Sequence, residues 1–430
     1  MNNKLTKKAG KNKALKISVI FLCVIVIIVC INMLANTIVN NNNLDFAKSF
    51  HSVKNENVIV PQKDNNGNWT FTTDRELKIL HLTDIHIGGG WLSGKTDTLT
   101  INAVASMVTA EKPDLVVITG DIAYPVPFES MALNNLPPHR IFANLMETLG
   151  VYWIPTFGNH DTEFYSLYTR EEISEFYSSE DFKYCLYQES DENIDGYGNS
   201  VINVKNSDGI VTQALFTIDS HAYTGTGLVD IIKMDYDHIY DNQIAWYKTN
   251  MENISKYNAS FIENMENKDE LLEKYGKANS LLFFHIPIEE YKDAWREYSE
   301  NGFKNTENIK LIYGTASETG RVVFNSDTPT NLFETMQGLG GKHGIFCGHD
   351  HVNNFSIDYK GIRLTYGMSI DYIAYADIDT FGSQRGCTVI TVKPDGTFDC
   401  VAENYYQDKY ATDMREKVTM QELMPSKIEE

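Results

Sequence analysis

No acidic residue precedes Asp45, although the 430-residue chain carries 58 Asp and Glu against 37 Lys and Arg. Lys4, Lys7, Lys8, Lys11, Lys13 and Lys16 all lie in that acid-free stretch, so the formal charge of −21 becomes −27 once these six are set aside. A body this acidic lacks the basic footprint that phosphate-backbone contacts require, which excludes a general nucleic-acid binder. Cysteine is also scarce. Six in a chain of this length make no disulfide framework. Cys23 and Cys30 fall in an apolar run and Cys347 in a core strand. Cys387 and Cys400 are placed either to pair across a hairpin turning at Pro394-Asp395-Gly396 or to stay as buried thiols. Internal repeats and coiled-coil heptads are absent.

One long apolar run is present, Ile17 to Leu34. A helix of roughly 18 to 20 such residues crosses a ~30 Å hydrocarbon layer. The preceding lysines are expected to stay cytoplasmic, which places the rest of the chain outside the cell membrane. On this reading 1–16 is a basic cytoplasmic segment, 17–35 the anchor, 36–75 a tether, 76–404 the domain and 405–430 a charged surface tail. The alternative is a cleaved signal sequence followed by secretion. Such sequences have an apolar region of usually about 7–15 residues, and Met33 makes a poor partner for a cleavage site at Ala35.

Beyond the tether, short apolar strands alternate with helices. Leu77–Leu82, Leu115–Ile118, Val151–Pro155, Ala214–Ile218, Leu281–Phe284 and Gly344–Cys347 read as strands. Helical spacing covers Asp97–Glu111, His139–Leu149 and most of 241–275, with Trp246 and Tyr247 facing inward. The stretch 362–401 alternates like antiparallel strands, and 164–200 offers no clear pattern. The fold class is therefore α/β.

Polar residues gather at the strand ends: Asp84 and His86, Gly120-Asp121, Gly158-Asn159-His160, His285, and Gly348-His349-Asp350-His351. Loops at the carboxyl ends of strands are where α/β sheets place ligands. Five of the eleven histidines fall there. Two carboxylates, an amide and several imidazoles suit borderline divalent metals such as Mn, Fe or Zn. The lack of cysteine among them argues against a structural zinc site.

This ordered set resembles the calcineurin-like metallophosphoesterase superfamily. The words His81-Leu-Thr-Asp-Ile-His86, Phe284-His-Ile-Pro287 and Gly348-His-Asp-His-Val-Asn353 are most similar to its branch related to purple acid phosphatases. The resemblance implies a two-sheet β-sandwich flanked by helices. It also implies hydrolysis of phosphate esters, monoesters above all, by a hydroxide bridging two divalent or mixed-valence ions. Asp84, His86 and His351 would bind the first ion, Asn159, His285 and His349 the second. Asp121 would bridge them and His160 would be the catalytic imidazole. Two ions bring +4, the two aspartates and a hydroxide return −3, and the site stays positive; salt screens the acidic body beyond ~8 Å. A phosphodiesterase acting on nucleotides or lipid headgroups, and a non-catalytic metal-binding surface module, are the alternatives.

Gly120-Asp121-Ile122-Ala123-Tyr124 also matches the purple acid phosphatase word Gly-Asp-x-x-Tyr, whose tyrosine ligates ferric iron. Those enzymes carry Gly where this chain has His86, so Tyr124 is expected beside the ligands and no tyrosinate colour is expected. Asp161 is divided between orienting His160 and capping the segment that follows it, with the cap preferred. His221 is divided between lining the pocket and shaping its turn, and the Tyr366–Tyr375 stretch between bounding the cleft and core packing. His81 is read as packing, and Asp350 as pointing outward.

Overall fold

The computed structural model describes residues 2–179, 182–225, 233, 235–318, 322–375, 378 and 385–417. Its strands in chain order are β1 (Gln62–Lys63), β2 (Trp69–Thr72), β3 (Leu77–Leu82), β4 (Leu115–Thr119), β5 (Tyr152–Thr156), β6 (Ser200–Lys205) and β7 (Val211–Thr217). They continue with β8 (Ser280–Phe283), β9 (Ile309–Tyr313), β10 (His343–Cys347), β11 (Ser356–Tyr359), β12 (Ile362–Tyr366), β13 (Gly386–Val392) and β14 (Phe398–Asn404). The helices are α1 (Asn2–Lys48), α2 (Gly94–Glu111), α3 (Pro127–Ser130), α4 (Leu136–Leu149) and α5 (Arg170–Ser179). After these come α6 (Asp241–Ile262), α7 (Lys268–Tyr275), α8 (Glu289–Glu300) and α9 (Leu332–Leu339).

Successive side chains on a strand point to opposite faces, and here each face meets a different core. Leu77, Ile79, Leu115 and Val117 turn inward and pack against Leu281, Phe283 and Phe346 of a second sheet. Their neighbours Leu80, Leu82, Val116 and Ile118 turn outward under α2 and α4. Leu282 and Ile345 do the same beneath α6 and α8. The result is a two-sheet sandwich flanked by helices. Among the described residues one sheet has five strands, ordered β14-β13-β3-β4-β5, and the other nine, ordered β1-β2-β6-β7-β8-β10-β12-β11-β9. Strands β3, β4 and β5 run parallel, as do β7, β8, β10 and β12. All the predicted polar loops therefore leave carboxyl ends of parallel strands.

Two segments differ from the sequence reading, 362–401 differs in part, and the choice left open at Cys387 and Cys400 is decided. The stretch 36–75 is more than a tether: α1 runs unbroken to Lys48, and Leu44, Phe46 and Ala47 pack into the core under α4. Its asparagines mimic linker composition, but their amides bond the body. The tail is not all surface, because Tyr405, Tyr406 and Tyr410 are buried and Glu416 pairs with Arg385; its remainder from 418 lies outside the described residues. In 362–401 the β13–β14 hairpin is antiparallel as expected, and so is β12 against β11, but β12 also runs parallel beside β10 in the other, nine-stranded sheet. Finally, Cys387 faces Glu403 and Cys400 faces Ile390, so the two thiols are out of register, and both are free and buried.

Candidate metal centre

The loop after β3 carries Asp84 and His86, the loop after β4 Asp121, and the loop after β10 His349 and His351. Asp84, His86, Asp121 and His349 all hold φ between 50° and 75°, a region that costs a non-glycine residue and recurs at functional sites. The strain turns these side chains back over the sheet edge. Gly120 and Gly158 allow the β4 and β5 loops to touch there. A Cβ on Gly158 would lie 2.1 Å from Oδ1 of Asp121.

Asp84, His86, Asp121 and His351 each offer a donor atom within 4.8 Å of the others, and all four are buried. Beside them lies the second set. Nε2 of His285 is 3.1 Å from Oδ2 of Asp121 and 3.1 Å from Oδ1 of Asn159. The His285 and His349 rings are 5.1 Å apart. Oδ2 of Asp121 also lies 3.3 Å from Nε2 of His86, so one oxygen touches an imidazole from each set.

The surroundings fix which ring nitrogen points inward. Nδ1 of His285 donates to the Thr119 carbonyl at 2.7 Å, which leaves the lone pair of Nε2 facing two oxygen acceptors. That arrangement is repulsive unless a cation, metal or proton, lies among them. Burial works against a charged imidazole at His285, yet Asp121 reverses it and holds the pKa up at about 9. Nε2 of His349 is buried without a hydrogen-bond partner among the described residues. Burial and the neighbouring His285 push its pKa well below the usual histidine range, which keeps it neutral as a ligand must be. The donor set therefore fits metal ions. The amide of Asn159 is oriented the same way: Nδ2 donates to the Tyr223 hydroxyl at 3.0 Å, turning Oδ1 toward His285.

Asp371 went unrecognised in the sequence. Its Oδ2 accepts from Nδ1 of His351 at 3.1 Å, and its Oδ1 faces Nδ1 of His86 at 3.2 Å, poorly aligned for a hydrogen bond. The N–H groups of Ile373, Ala374 and Tyr375 hold that carboxylate in place. Glu163 was missed as well. Its Oε1 is 2.7 Å from Nδ1 of His160, leaving Nε2 free on a ring 24% exposed. Burial opposes charging His160, but Asp121 and Glu163 outweigh it and raise its pKa.

Tyr124 stacks on His86 with ring centroids 4.4 Å apart, and its hydroxyl turns to Glu129. Asp161 is no cap. Its carboxylate accepts the N–H groups of Asp121, Ala123 and Gly158 at 2.8–2.9 Å, tying the β4 and β5 loops together. Asp350 points inward, where burial lifts its pKa to about 7 and Tyr366 donates to it. His221 stacks on Tyr240 and meets Gln243. His81 lies between the sheets against Phe283 and Phe346, and burial lowers its pKa to about 3.

Residues 77–353 match the family model described as calcineurin-like phosphoesterase. The chain belongs to the calcineurin-like phosphoesterase family. The chain is 26% identical over 343 residues to a protein of Arabidopsis thaliana named probable inactive purple acid phosphatase 29, covering 75% of this chain and 78% of that one. A second from the same plant, probable inactive purple acid phosphatase 14, is 27% identical across 72% of this chain and 74% of its own. The phosphatase DCR2 of Saccharomyces cerevisiae is 27% identical over 66% of this chain and 46% of its own length.

Proposed function

We propose that this phosphoesterase hydrolyses phosphate monoesters at two metal ions. Asp84, His86 and His351 would hold one, Asn159, His285 and His349 the other, and Asp121 would be shared. The observation that carries the reading is the single oxygen of Asp121 lying within 3.3 Å of His86 and 3.1 Å of His285. When bound, divalent ions such as Mn, Fe or Zn acidify water and take up charge from phosphoryl oxygens.

The protein's own part is positioning and proton delivery. Asn159 is a neutral donor and leaves the site more positive than a carboxylate would, which favours phosphate. His160, oriented by Glu163, presents Nε2 on the open side, where it can protonate the departing alkoxide. The plant relatives are named probable inactive, so turnover is the part of this reading that the assay has to show. α1 is long and apolar enough to cross a membrane, and we read it as an anchor holding the domain outside the cell.

The test is to strip the full chain of metal, reload it with Mn, Zn or Fe, and compare aryl phosphomonoesters with bis-aryl phosphodiesters. Faster monoester hydrolysis, dependent on metal, is expected. Faster diester hydrolysis would replace the reading with a phosphodiesterase. Bound metal without hydrolysis of either would make the domain a binding module.

A further inference from the structure

Helix α1 leaves the apolar run without a break, and its following turns are clamped to the body. Asn32 and Asn36 both donate to the Met131 carbonyl, at 3.0 and 2.9 Å. In return the Trp91 indole N–H donates to Oδ1 of Asn32 at 2.8 Å, and the Trp91 backbone N–H to Oδ1 of Asn36 at 2.9 Å. Asn40 donates to the Gly89 carbonyl at 2.9 Å, and Leu44 and Ala47 enter the core beyond it. The helix is thus held at several levels along its last third and has no swivel. The first clamp residue, Asn32, still lies inside the run Ile17–Leu34.

At 1.5 Å per residue that run is ~27 Å long, close to the ~30 Å of a hydrocarbon layer. Were α1 to span a bilayer, Trp91 and Met131 would sit where hydrocarbon gives way to headgroups. The loops around them expose large apolar side chains: Phe128, 90% exposed, with Leu92, Leu133 and Leu167, alongside Trp91 and Met131 themselves. Leu167 is brought to this group by its N–H, which donates to the Leu133 carbonyl at 3.0 Å. Contiguous apolar surface of this kind marks a protein or membrane contact. An exposed tryptophan whose N–H is bonded suits the boundary between lipid and water.

We propose that loops 89–92, 127–133 and 164–167 rest in the headgroup region of the bilayer that α1 crosses, so that the domain lies against the lipid surface. The proposal rests on α1 being an uncleaved membrane span. The occupant is lipid held by apolar insertion, because a body of charge −27 gains nothing from anionic headgroups. The same loops border the metal centre: Glu129 follows Phe128 and meets the Tyr124 hydroxyl, and Tyr124 stacks on His86. Lipid contact and donor set therefore share a wall.

Tryptophan fluorescence tests this directly. The five tryptophans are Trp69, Trp91, Trp153, Trp246 and Trp295. α1 contains none of them, and Trp91 alone is exposed. The full chain, without added metal, is reconstituted in phosphatidylcholine vesicles whose acyl chains carry bromine near the headgroup. The expected result is quenching that is lost in Trp91→Phe. A second variant, Phe128→Trp, should add quenching to that of the parent. Equal quenching in parent and Trp91→Phe, or no added quenching in folded Phe128→Trp, overturns the proposal. Failure of the chain to float with vesicles, or a mature N-terminus near Asn36, overturns it too. None of these readouts depends on hydrolysis, so an inactive enzyme would sink the catalytic reading and leave this one standing.

Discussion

Nδ1 of His351 lies 3.1 Å from Oδ2 of Asp371, twenty residues further along the chain, and both groups are buried. A carboxylate behind a histidine ligand fixes its tautomer and raises its basicity, and losing such a partner typically costs about 10–100-fold in metal affinity. The other oxygen of Asp371 faces His86, so one substitution should loosen both imidazoles proposed to hold the first ion. In Asp371→Asn, metal titration is expected to show one ion weakened by roughly that factor while the other stays tight. Equal weakening of both ions, or of neither, would remove Asp371 from this role.

His160 should separate proton delivery from metal binding. General acid catalysis contributes about 10²–10⁴-fold, and it matters most when the departing oxygen is a poor leaving group. His160→Gln should therefore lose activity steeply on alkyl phosphates and only slightly on aryl phosphates with acidic phenols, with metal content unchanged. Glu163→Ala should show the same split to a smaller extent, since Glu163 acts by orienting the ring. Metal loss in His160→Gln would mean that His160 is a ligand.

Stability should depend on pH through Asp97. This carboxyl is wholly buried, and burial lifts its pKa to about 7 despite N–H groups from Gly88 and Gly89 and the Ser93 hydroxyl. In the unfolded chain an aspartate titrates near ~3.9. Between these values the folded state keeps a proton that the unfolded state has released. Stability from this group therefore falls as pH rises from about 4 to about 7, by at most about 1.4 kcal/mol per unit, and levels off above. Asp97→Asn should flatten that part of the melting-temperature profile, and an unchanged slope would assign it to other groups.

Tyr124 gives a spectroscopic prediction. Its ring lies flat on His86, its hydroxyl is directed to Glu129, and burial drives its pKa far above the ordinary tyrosine value. Iron-loaded protein should lack a tyrosinate-to-iron band in the visible. A coloured preparation whose band disappears in Tyr124→Phe would place the hydroxyl on the metal.

Much of the proposed donor set was legible because each member carries a local signature. An apolar β-branched run ending in Gly-Asp, or in Gly followed by His-x-His, announces a strand and a tight turn within a few residues. Asp371 and Glu163 carry no such signature. Asp371 sits in an aromatic stretch equally suited to packing, and only the folded loop after β12 turns it behind His351 and His86. Asp161 was misread for a related reason. Its three N–H donors include Asp121 and Ala123, about forty residues earlier, and they reach it only once β4 and β5 pair. Asp350 looked free to point outward, but Tyr366 on β12 lies where it draws the carboxylate in.

By itself the sequence determined the strands that carry the site, β3, β4, β5, β7, β8 and β10, and which polar residues follow them, whereas β1, β2, β6, β9 and β11 were not read from it. Those features follow from backbone sterics and hydrophobic alternation between near neighbours. It also determined the apolar run and the acidic body. Only the tertiary structure decided that Asp121 lies between His86 and His285, that Asp371 stands behind two imidazoles, and that α1 is clamped beside an exposed apolar rim. Those relationships join residues far apart in the chain, some from separate sheets, and the packing of the sandwich core brings them within reach of one another.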